Sequence, residues 1–205
     1  MCGISGVWSK NTCIDVGRFN AMRDTLLHRG PDAAGTWMNT YKNIALGHRR
    51  LSLIDLSSRA NQPLTGADNR VTITVNGEIY NFNELRQELK SNGYIFTTQS
   101  DSEVLIYGWL HWKTELPKQL KGMFAFAIWD DLEKTLFIAR DRFGIKPLYY
   151  HIDSNEFIFA SELKSLINWN PALKELNLSR VADYFTYRYI PAPYSVFNNI
   201  LKLPA

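Results

Sequence analysis

The sequence predicts an α+β fold in which helices cover antiparallel β-sheets. Strand-like runs come in groups with helical segments between the groups, and single strands do not alternate regularly with single helices. Hydrophobic residues make up 45% of the 205 residues and charged residues 21%, which is typical of a globular domain with a sizeable core. No internal repeat or low-complexity segment interrupts this pattern.

In the first half of the chain, strand and helix signals follow one another closely. The run GISGVWS predicts a strand at the amino terminus. The segment DVGRFNAMRDTLLHRG predicts a helix that Asp15 caps and that Gly30-Pro31 ends. Three runs then predict strands: GTWM, NIALGHRRLSLID and RVTITVNG. Two more segments predict helices, NFNELRQELKSNG and SEVLIYGWLHW, and Ser102 is a candidate cap of the second.

In the second half, four strand-like runs come together: GMFAFAIWD, TLFIARD, PLYYHID and EFIFAS. A helical piece near ELKSLI follows them. After Pro171 the composition changes, because a last helix, NLSRVADYFTYRY, leads into the extended and proline-rich segment IPAPYSVFNNILKLPA. We therefore expect the main domain to cover residues 2–170 and residues 171–205 to form a linking segment without a core of its own.

Charge and cysteine content exclude several classes of function. The formal net charge is +3 and no run of five or six like charges occurs, so nothing favours nucleic-acid binding. The two cysteines, Cys2 and Cys13, do not make a disulfide framework. The longest apolar run, MFAFAIW, is far too short to span a membrane, and the first residues lack a signal-peptide pattern. The expected location is the cytoplasm.

The second residue, Cys2, is the first candidate for chemistry. If Met1 is removed, Cys2 carries both a thiol and a free α-amine, whose ordinary pKa of about 7.7–8.0 suits a base near neutral pH. The amine can take the thiol proton directly or through one water, so that no histidine is needed. The thiolate would then attack a carbonyl and form a thioester. The alternative is a frayed, oxidisable tail.

The segment VNGEIYN is the candidate oxyanion hole for such a reaction. Asn76 offers a side-chain amide donor, and Gly77 offers a backbone N–H without a Cβ that would obstruct the approach. By spacing alone, a hairpin turn at Asn76-Gly77 is the commoner explanation. The residues that follow, Glu78-Ile79-Tyr80, argue against this turn because they predict the start of a helix instead of a second pairing strand.

The free ends of a small amide substrate need partners as well. Arg50, in HRRLSLID, can pair with an α-carboxylate through two hydrogen bonds, and Asp101, in QSDSEV, can bind an α-ammonium. Taken singly, Arg50 is explained equally well as a surface strand residue, and Asp101 as a capping partner of the helix that follows it.

Eight blocks of sequence, in this order, resemble a known family: MCGISGVW, HRGPD, HRRLSLIDL, NQPL, VNGEIYNF, SDSEVL, GMFAFAIWD and RDRFGIKPLYY. They resemble class II glutamine amidotransferase domains, and most of all the glutaminase half of glutamine-hydrolysing asparagine synthetases of the B type. The similarity runs almost continuously from Cys2 to about Lys164. The segment from Leu178 resembles the lead-in to the synthetase half.

The resemblance implies an N-terminal-nucleophile hydrolase fold, which is a four-layer α/β/β/α sandwich. It implies hydrolysis of L-glutamine to L-glutamate and ammonia, with Cys2 as the nucleophile and Asn76 and Gly77 as further catalytic residues. The glutamine site that it implies consists of Arg50, Leu51, Ser52, Leu53, Ile54, Asn76, Gly77, Glu78 and Asp101.

The resemblance also implies partners outside this chain. The ammonia would serve an ATP-dependent synthetase domain in the same polypeptide, with aspartate as the default acceptor, and a homodimer is a candidate assembly. The SGG-x-DS pyrophosphate loop of that synthetase half does not occur here. ATP and Mg²⁺ are therefore expected only in the synthetase domain, and no cofactor or metal is expected in this chain.

Two further segments and two alternative functions complete the interpretation. Residues 28–32 (HRGPD) are expected to fix a loop near the site, and residues 140–142 (RDR) are expected to form an ion-pair corner. A non-catalytic relic of the fold, used for interaction or regulation, is disfavoured because Cys2 and the other candidate site residues are all present. A proteasome-like peptidase is disfavoured because partners for a free carboxylate and a free amine leave no room for a longer peptide.

Overall fold

The computed structural model describes residues 1–52 and 58–205. The strands are Gly3–Ser9 (β1), Ala33–Met38 (β2), Ile44–Arg50 (β3), Leu64–Gly66 (β4), Val71–Ile79 (β5), Gly122–Asp130 (β6), Thr135–Arg140 (β7), Tyr149–Ile152 (β8), Glu156–Ala160 (β9) and Leu201–Lys202 (β10). The α-helices are Val16–Asp24 (α1), Phe82–Ser91 (α2), Val104–Trp112 (α3), Leu116–Gln119 (α4), Leu163–Trp169 (α5) and Leu178–Tyr187 (α6).

The strands form two antiparallel sheets. One sheet has six strands in the order β10-β8-β9-β1-β3-β2, and the other has four in the order β4-β5-β6-β7. The central strand β1 pairs with β3 on one side and with β9 on the other, and β5 pairs with β6 over its whole length. The predicted grouping of strands is thus confirmed.

Three apolar clusters divide the molecule into layers. One cluster joins the facing sides of the two sheets, where Leu46 of β3 and Phe159 of β9 meet Trp129 of β6. A second packs α1 and α5 on the outer face of the six-stranded sheet, and a third packs α2 and α3 on the outer face of the four-stranded sheet. The arrangement is the predicted four-layer α/β/β/α sandwich. The apolar side chains buried between neighbouring layers stabilise it.

Two predicted helix ends differ from the structure. Asp15 caps α1 as expected, since its carboxylate accepts a hydrogen bond from the N–H of Arg18 at 2.7 Å. However, α1 ends at Asp24, before Gly30-Pro31, because the chain then continues in tight turns with i to i+3 hydrogen bonds. The cap near α3 is Ser100 and not Ser102, because a short 3₁₀ turn over Asp101–Glu103 precedes the helix.

The Asn76-Gly77 segment lies inside a strand. Both residues belong to β5, and the pairing with β6 continues to Ile79, which is opposite Gly122. The hairpin-turn alternative is therefore wrong. A helix start at Glu78 is also wrong, because α2 begins only at Phe82.

The corner at residues 140–142 is held by the backbone and not by ion pairs. Asp141 accepts hydrogen bonds from the N–H groups of Phe124, Ile145 and Lys146. The guanidinium groups of Arg140 and Arg142 donate to main-chain carbonyls. Across the described ranges, no salt bridge joins these three residues, which corrects the ion-pair prediction.

The final segment packs on the same chain. Ile200 is fully buried in the cluster beneath α1 and α5, and β10 forms the edge of the six-stranded sheet by pairing with β8. By contrast, α6 has no buried residue. In the part of the chain that the structure describes, no helix has the length and apolar character needed to cross a membrane.

Candidate active site

A cavity of about 140 Å³ collects most of the predicted site residues. Those that line it are Cys2, Arg50, Leu51, Asn76, Gly77, Glu78 and Asp101. Ser52 is not part of this lining, and its N–H donates a hydrogen bond to the Asp32 carboxylate at 2.8 Å. Leu53 and Ile54 lie outside the described residues.

The sandwich explains why these residues meet. Cys2 immediately precedes β1, and Arg50 ends β3, so the antiparallel pairing of Gly3 with Arg49 places both at the same end of these two neighbouring strands. Packing of the second sheet against the first brings the carboxyl-terminal half of β5, with Asn76, Gly77 and Glu78, to the same place. Asp101 comes from the 3₁₀ turn that precedes α3.

The Cys2 thiol is half-buried beside the backbone of Leu51. The N–H of Leu51 lies 3.4 Å from Sγ, and the Arg29 guanidinium donates to the Cys2 carbonyl at 2.9 Å. Burial raises the pKa of the thiol. This pKa is lowered by a hydrogen bond with the Leu51 backbone and by the positive charges of the amino terminus, Arg50 and Arg29. To act as a nucleophile, the thiol would therefore need a nearby base, because burial disfavours the free thiolate. Arg29 supports the prediction that residues 28–32 fix a loop near the site.

Asn76 has an unusual environment for a buried amide. The residue is 1% exposed, and neither Nδ2 nor Oδ1 has a hydrogen-bond partner in the described part of the chain. An unpaired buried polar group costs about 1–3 kcal/mol, so such groups are rare away from functional sites. Asn76 lines the same cavity as Cys2, which makes its amide a candidate partner for a bound substrate.

Gly77 is required by the neighbouring strand. A Cβ at this position would lie 2.2 Å from the carbonyl oxygen of Met123 and 2.6 Å from Cα of Phe124, both in the backbone of β6. The sequence suggests that a glycine at this position leaves the backbone N–H open to an approaching substrate. The structure adds a second reason, since no larger residue fits against β6 without moving the pairing.

The two charged residues proposed for the ends of a substrate are both buried. Arg50 is 8% exposed, and its Nη1 donates to Oδ1 of Asn61 at 2.6 Å. Asp101 accepts a hydrogen bond from the N–H of Ile79 at 2.9 Å. Burial raises the pKa of Asp101, and the charge of Glu78 adds to this, whereas hydrogen bonds from Ile79 and Ser102 oppose it. The carboxylate therefore points to β5, while Ser100 caps the turn.

His48 lines the cavity, and its environment makes it a weak base. Its Nε2 is 3.0 Å from the carbonyl oxygen of Val75, and Nδ1 has no partner within the described ranges. Burial lowers the pKa of His48 to about 4, so the ring is neutral near pH 7. Among the residues described, no group of three or more His, Cys, Asp or Glu side chains could hold a metal ion.

The whole sequence, residues 1–205, matches the family of glutamine amidotransferase domains. The chain belongs to this family. Glutamine-hydrolysing asparagine synthetase 1 of Bacillus subtilis is 39% identical over 207 residues, which cover 99% of this chain and 32% of that protein. A protein of Methanocaldococcus jannaschii named as a second putative glutamine-hydrolysing asparagine synthetase is 36% identical over 225 residues, covering 100% of this chain and 43% of the other.

The fold of this amidotransferase domain also occurs in a solved structure. The glutamine phosphoribosylpyrophosphate amidotransferase of Bacillus subtilis superposes with a TM-score of 0.68 at 23% identity, covering 82% of this chain and 43% of that one. At this identity the likeness shows the fold alone, and it agrees with the layered sandwich. The amidotransferase domain described here spans between about a third and less than half of the curated relatives named above.

Several residues of the cavity were not predicted as part of the site. They are Met1, His48, Ala60, Gln62, Val75, Ser100, Ser102, Met123 and Lys146. His48 could have been found, since it is two residues before Arg50 in a strand and so shares its face. Gln62 and Lys146 lie in the NQPL and RDRFGIKPLYY blocks, but only the packing of the sheets brings them to Cys2.

Proposed function

We propose that the chain hydrolyses L-glutamine to L-glutamate and ammonia through a thioester on Cys2. The observation that carries this proposal is the unpaired, buried amide of Asn76 in the same cavity as the Cys2 thiol. An amide N–H aimed at developing negative charge stabilises a tetrahedral intermediate, and the N–H of Gly77 is the second donor that we propose. Membership in the family of glutamine amidotransferase domains supports the same reaction.

The charges around the cavity suit a zwitterionic substrate. We assign the α-carboxylate of glutamine to Arg50 and its α-ammonium to Asp101, with Glu78 nearby. Leu51, Ser52, Leu53 and Ile54 complete the proposed glutamine site. A small molecule held at both ends presents only its side-chain amide to Cys2, which orients the carbonyl for attack.

The base that we propose is the α-amine of Cys2 after removal of Met1. In the structure Met1 lines the cavity, and its Sδ lies 3.3 Å from Nζ of Lys146. A retained Met1 converts the Cys2 nitrogen into an amide, which is not basic. The free amine would take the thiol proton and later return a proton to the leaving ammonia.

For the whole protein, we propose an ammonia-dependent ligase with this chain as the ammonia source. The support is that curated relatives at 36–39% identity are named as glutamine-hydrolysing asparagine synthetases and are much longer. A synthetase domain in the same polypeptide would use ATP and Mg²⁺, with aspartate as the first acceptor to test. Homodimerisation and a cytoplasmic location are further parts of this proposal.

The test is ammonia release by protein whose intact mass shows that Met1 is absent. The Cys2→Ala variant should lose hydrolysis while binding glutamine within about tenfold of the parent in calorimetry, because Arg50 and Asp101 remain. The matched control is Cys13→Ala, since Cys13 is exposed and does not line the cavity. Its rate should be unchanged.

Three results would overturn the proposal or its assigned base. Hydrolysis near the parental rate in Cys2→Ala would show that another residue is the nucleophile. Absence of glutamine hydrolysis in Met1-free protein, with glutamine binding retained, would favour the non-catalytic relic. Vigorous hydrolysis by protein that retains Met1 would exclude the α-amine as the base.

A further inference from the structure

The side chain of Gln62 connects two parts of the cavity wall that are distant in sequence. Its Oε1 accepts a hydrogen bond from the N–H of Val75 at 2.6 Å, and its Nε2 donates to Oγ of Ser102 at 3.2 Å. Val75 precedes Asn76 in β5, and Ser102 follows Asp101 in the 3₁₀ turn. One amide group thus reaches the neighbours of both proposed substrate-binding elements.

The hydrogen bonds continue from Ser102 to Asp101 and back to β5. The hydroxyl of Ser102 donates to Oδ1 of Asp101 at 3.4 Å, and Oδ2 of Asp101 accepts from the N–H of Ile79 at 2.9 Å. The two attachment points on β5, Val75 and Ile79, enclose the segment that carries Asn76, Gly77 and Glu78. The Asp101 carboxylate is therefore fixed to both ends of this segment.

The strand needs such a partner because its neighbour stops early. β4 pairs with β5 only between Val71 and Ile73, whereas pairing with β6 continues to Ile79. Beyond Ile73, the amide of Gln62 satisfies the N–H of Val75 in place of a paired strand. Glutamine is well suited to this position, because its side chain offers an acceptor and a donor at once.

We propose that Gln62 is a positioning residue that sets the distance between the Asp101 carboxylate and the oxyanion donors of Asn76 and Gly77. This inference rests on the proposed glutaminase function. The distance between the amine-binding group and the oxyanion hole determines which length of substrate side chain brings its amide to Cys2. Gln62 thereby contributes to the choice of glutamine over asparagine, which is one methylene shorter.

The first experiment replaces Gln62 by methionine in Met1-free protein. Gln62→Met has nearly the same volume but loses both hydrogen bonds, so the packing is largely retained. We expect kcat/KM for glutamine to fall about 10- to 100-fold, with changes in both kcat and KM, because two hydrogen bonds that fix both elements are lost. The preference for glutamine over asparagine should fall as well. The matched control is Gln87→Met, on the exposed side of α2, which should leave both constants unchanged.

The second experiment tests whether Gln62 acts on Asp101 through the hydroxyl of Ser102 or only through a general loss of order in the cavity wall. Ser102→Ala should raise KM more than it lowers kcat, because it acts on the group that binds the α-amine. With 4-carbamoylbutanoate, which is glutamine without its α-amine, the effect of Ser102→Ala should shrink to within about twofold. Gln62→Met should still lower kcat with this substrate, since the bond beside Asn76 is lost. The double variant should cost less than the product of the single effects, because both residues act through one hydrogen bond.

The outcomes distinguish this inference from the proposed function. If Met1-free parent protein releases no ammonia from glutamine, the proposed function fails and the inference fails with it. If the parent is active and Gln62→Met matches Gln87→Met in kcat, KM and substrate preference, only the positioning role is overturned. Equal losses of Ser102→Ala with glutamine and with 4-carbamoylbutanoate would also overturn the relay. Circular dichroism verifies that each variant is folded, and thiol titration in a Cys13→Ala background counts the Cys2 thiols.

Discussion

Single residues at the cavity show where the structure departs from ordinary packing. In the described part of the molecule, Asn76 keeps two buried polar atoms and His48 keeps one without a partner, and both residues line the cavity. Buried polar groups are normally paired, so these atoms mark a place where the fold gives up some stability. A substrate amide bound beside Asn76 would supply the missing hydrogen-bond partners. Part of the free energy lost by leaving this amide unpaired would then be recovered on binding.

At the residue scale, the first prediction concerns Arg50. Arg50→Ala should lower kcat/KM for glutamine about 30- to 1,000-fold, which corresponds to about 2–4 kcal/mol, because the substrate carboxylate loses its charged partner. Asp101→Asn should cost less, since one acceptor oxygen remains for the ammonium. Steady-state ammonia release measures both effects.

Asn61 provides the control for this prediction. Its Oδ1 accepts a hydrogen bond from Arg50 at 2.6 Å, so Asn61→Ala tests how much of the effect comes from holding the guanidinium in place. We expect a smaller loss than in Arg50→Ala, because the charge remains in the cavity. A kcat/KM in Arg50→Ala equal to that of the parent protein would remove Arg50 from the glutamine site.

At the scale of elements, β5 shows both what the sequence predicts and where it fails. The apolar alternation of RVTITV predicts the strand correctly, but Asn76-Gly77 has the local signature of a turn. The strand continues because β6 pairs with it as far as Ile79, and this partner lies more than 40 residues away in sequence. Pairing over such a distance depends on tertiary packing, which local propensity cannot reveal.

Gly77 supports a prediction about this pair of strands. Gly77→Ala should destabilise the protein by about 1–3 kcal/mol and greatly reduce kcat, because the new Cβ would lie 2.2 Å from the Met123 oxygen and would displace β5 from β6. The control is Gly17→Ala in α1, where the nearest atom is a side-chain oxygen of Asp15 at 3.2 Å. It should change stability by less than about 1 kcal/mol, because alanine is favoured in helices. Urea unfolding measures both, and equal stabilities would contradict the close approach of the strands.

Asp130 links three elements and gives a prediction about pH. Its side chain is 0% exposed. The carboxylate accepts two hydrogen bonds from the Arg70 guanidinium, each 2.9 Å long, and one from Trp109 Nε1 at 2.9 Å. Burial opposes the charge, yet Arg70 and Trp109 outweigh it and hold the pKa of Asp130 well below its ordinary range. The link therefore ties the start of β5, the end of β6 and α3 together.

Because the folded pKa of Asp130 is depressed, its stabilisation is present above the unfolded pKa of about 3.9 and is lost as pH falls below it. Asp130→Asn should lower the free energy of unfolding by about 2–3 kcal/mol at pH 7, and this difference from the parent should shrink at pH 3.5. Urea unfolding at both pH values measures it, with the exposed Glu175→Gln as the control. A difference that stays constant between the two pH values would contradict the assigned shift.

At the scale of the whole molecule, the site depends on the face-to-face packing of the two sheets, which brings the ends of β1 and β3 next to β5. The sequence, through its resemblance to a family, predicts that Cys2, Arg50, Asn76 and Asp101 come together, and the cavity contains all four. It does not predict the link through Gln62 or the neutral His48, because these contacts exist only after β3, β5 and the turn at Asp101 are packed. The roles of the individual residues stay predictions until the variants are measured.

The final segment of the chain, residues 171–205, was expected to lack a core of its own, and its parts behave differently. Ile200 is fully buried against the six-stranded sheet, and the backbone continues the contact, because the N–H of Leu203 donates to the Leu148 carbonyl at 2.8 Å. In the same segment, Leu178 on α6 is 77% exposed. The end of the segment is thus part of the packed sandwich, while α6 lies on its surface.

This contrast within one segment gives the last prediction. Ile200→Ala should lower the free energy of unfolding by about 3 kcal/mol through lost burial and a cavity, and should lower Tm by about 6–12 °C for a domain of this size. Leu178→Ala should change the stability by no more than about 0.5 kcal/mol, because the side chain is mostly in solvent. Thermal and urea unfolding of both variants measure the difference. If Ile200→Ala unfolds like Leu178→Ala, β10 does not belong to the cooperative unit, and the segment after Pro171 acts as a linker along its whole length.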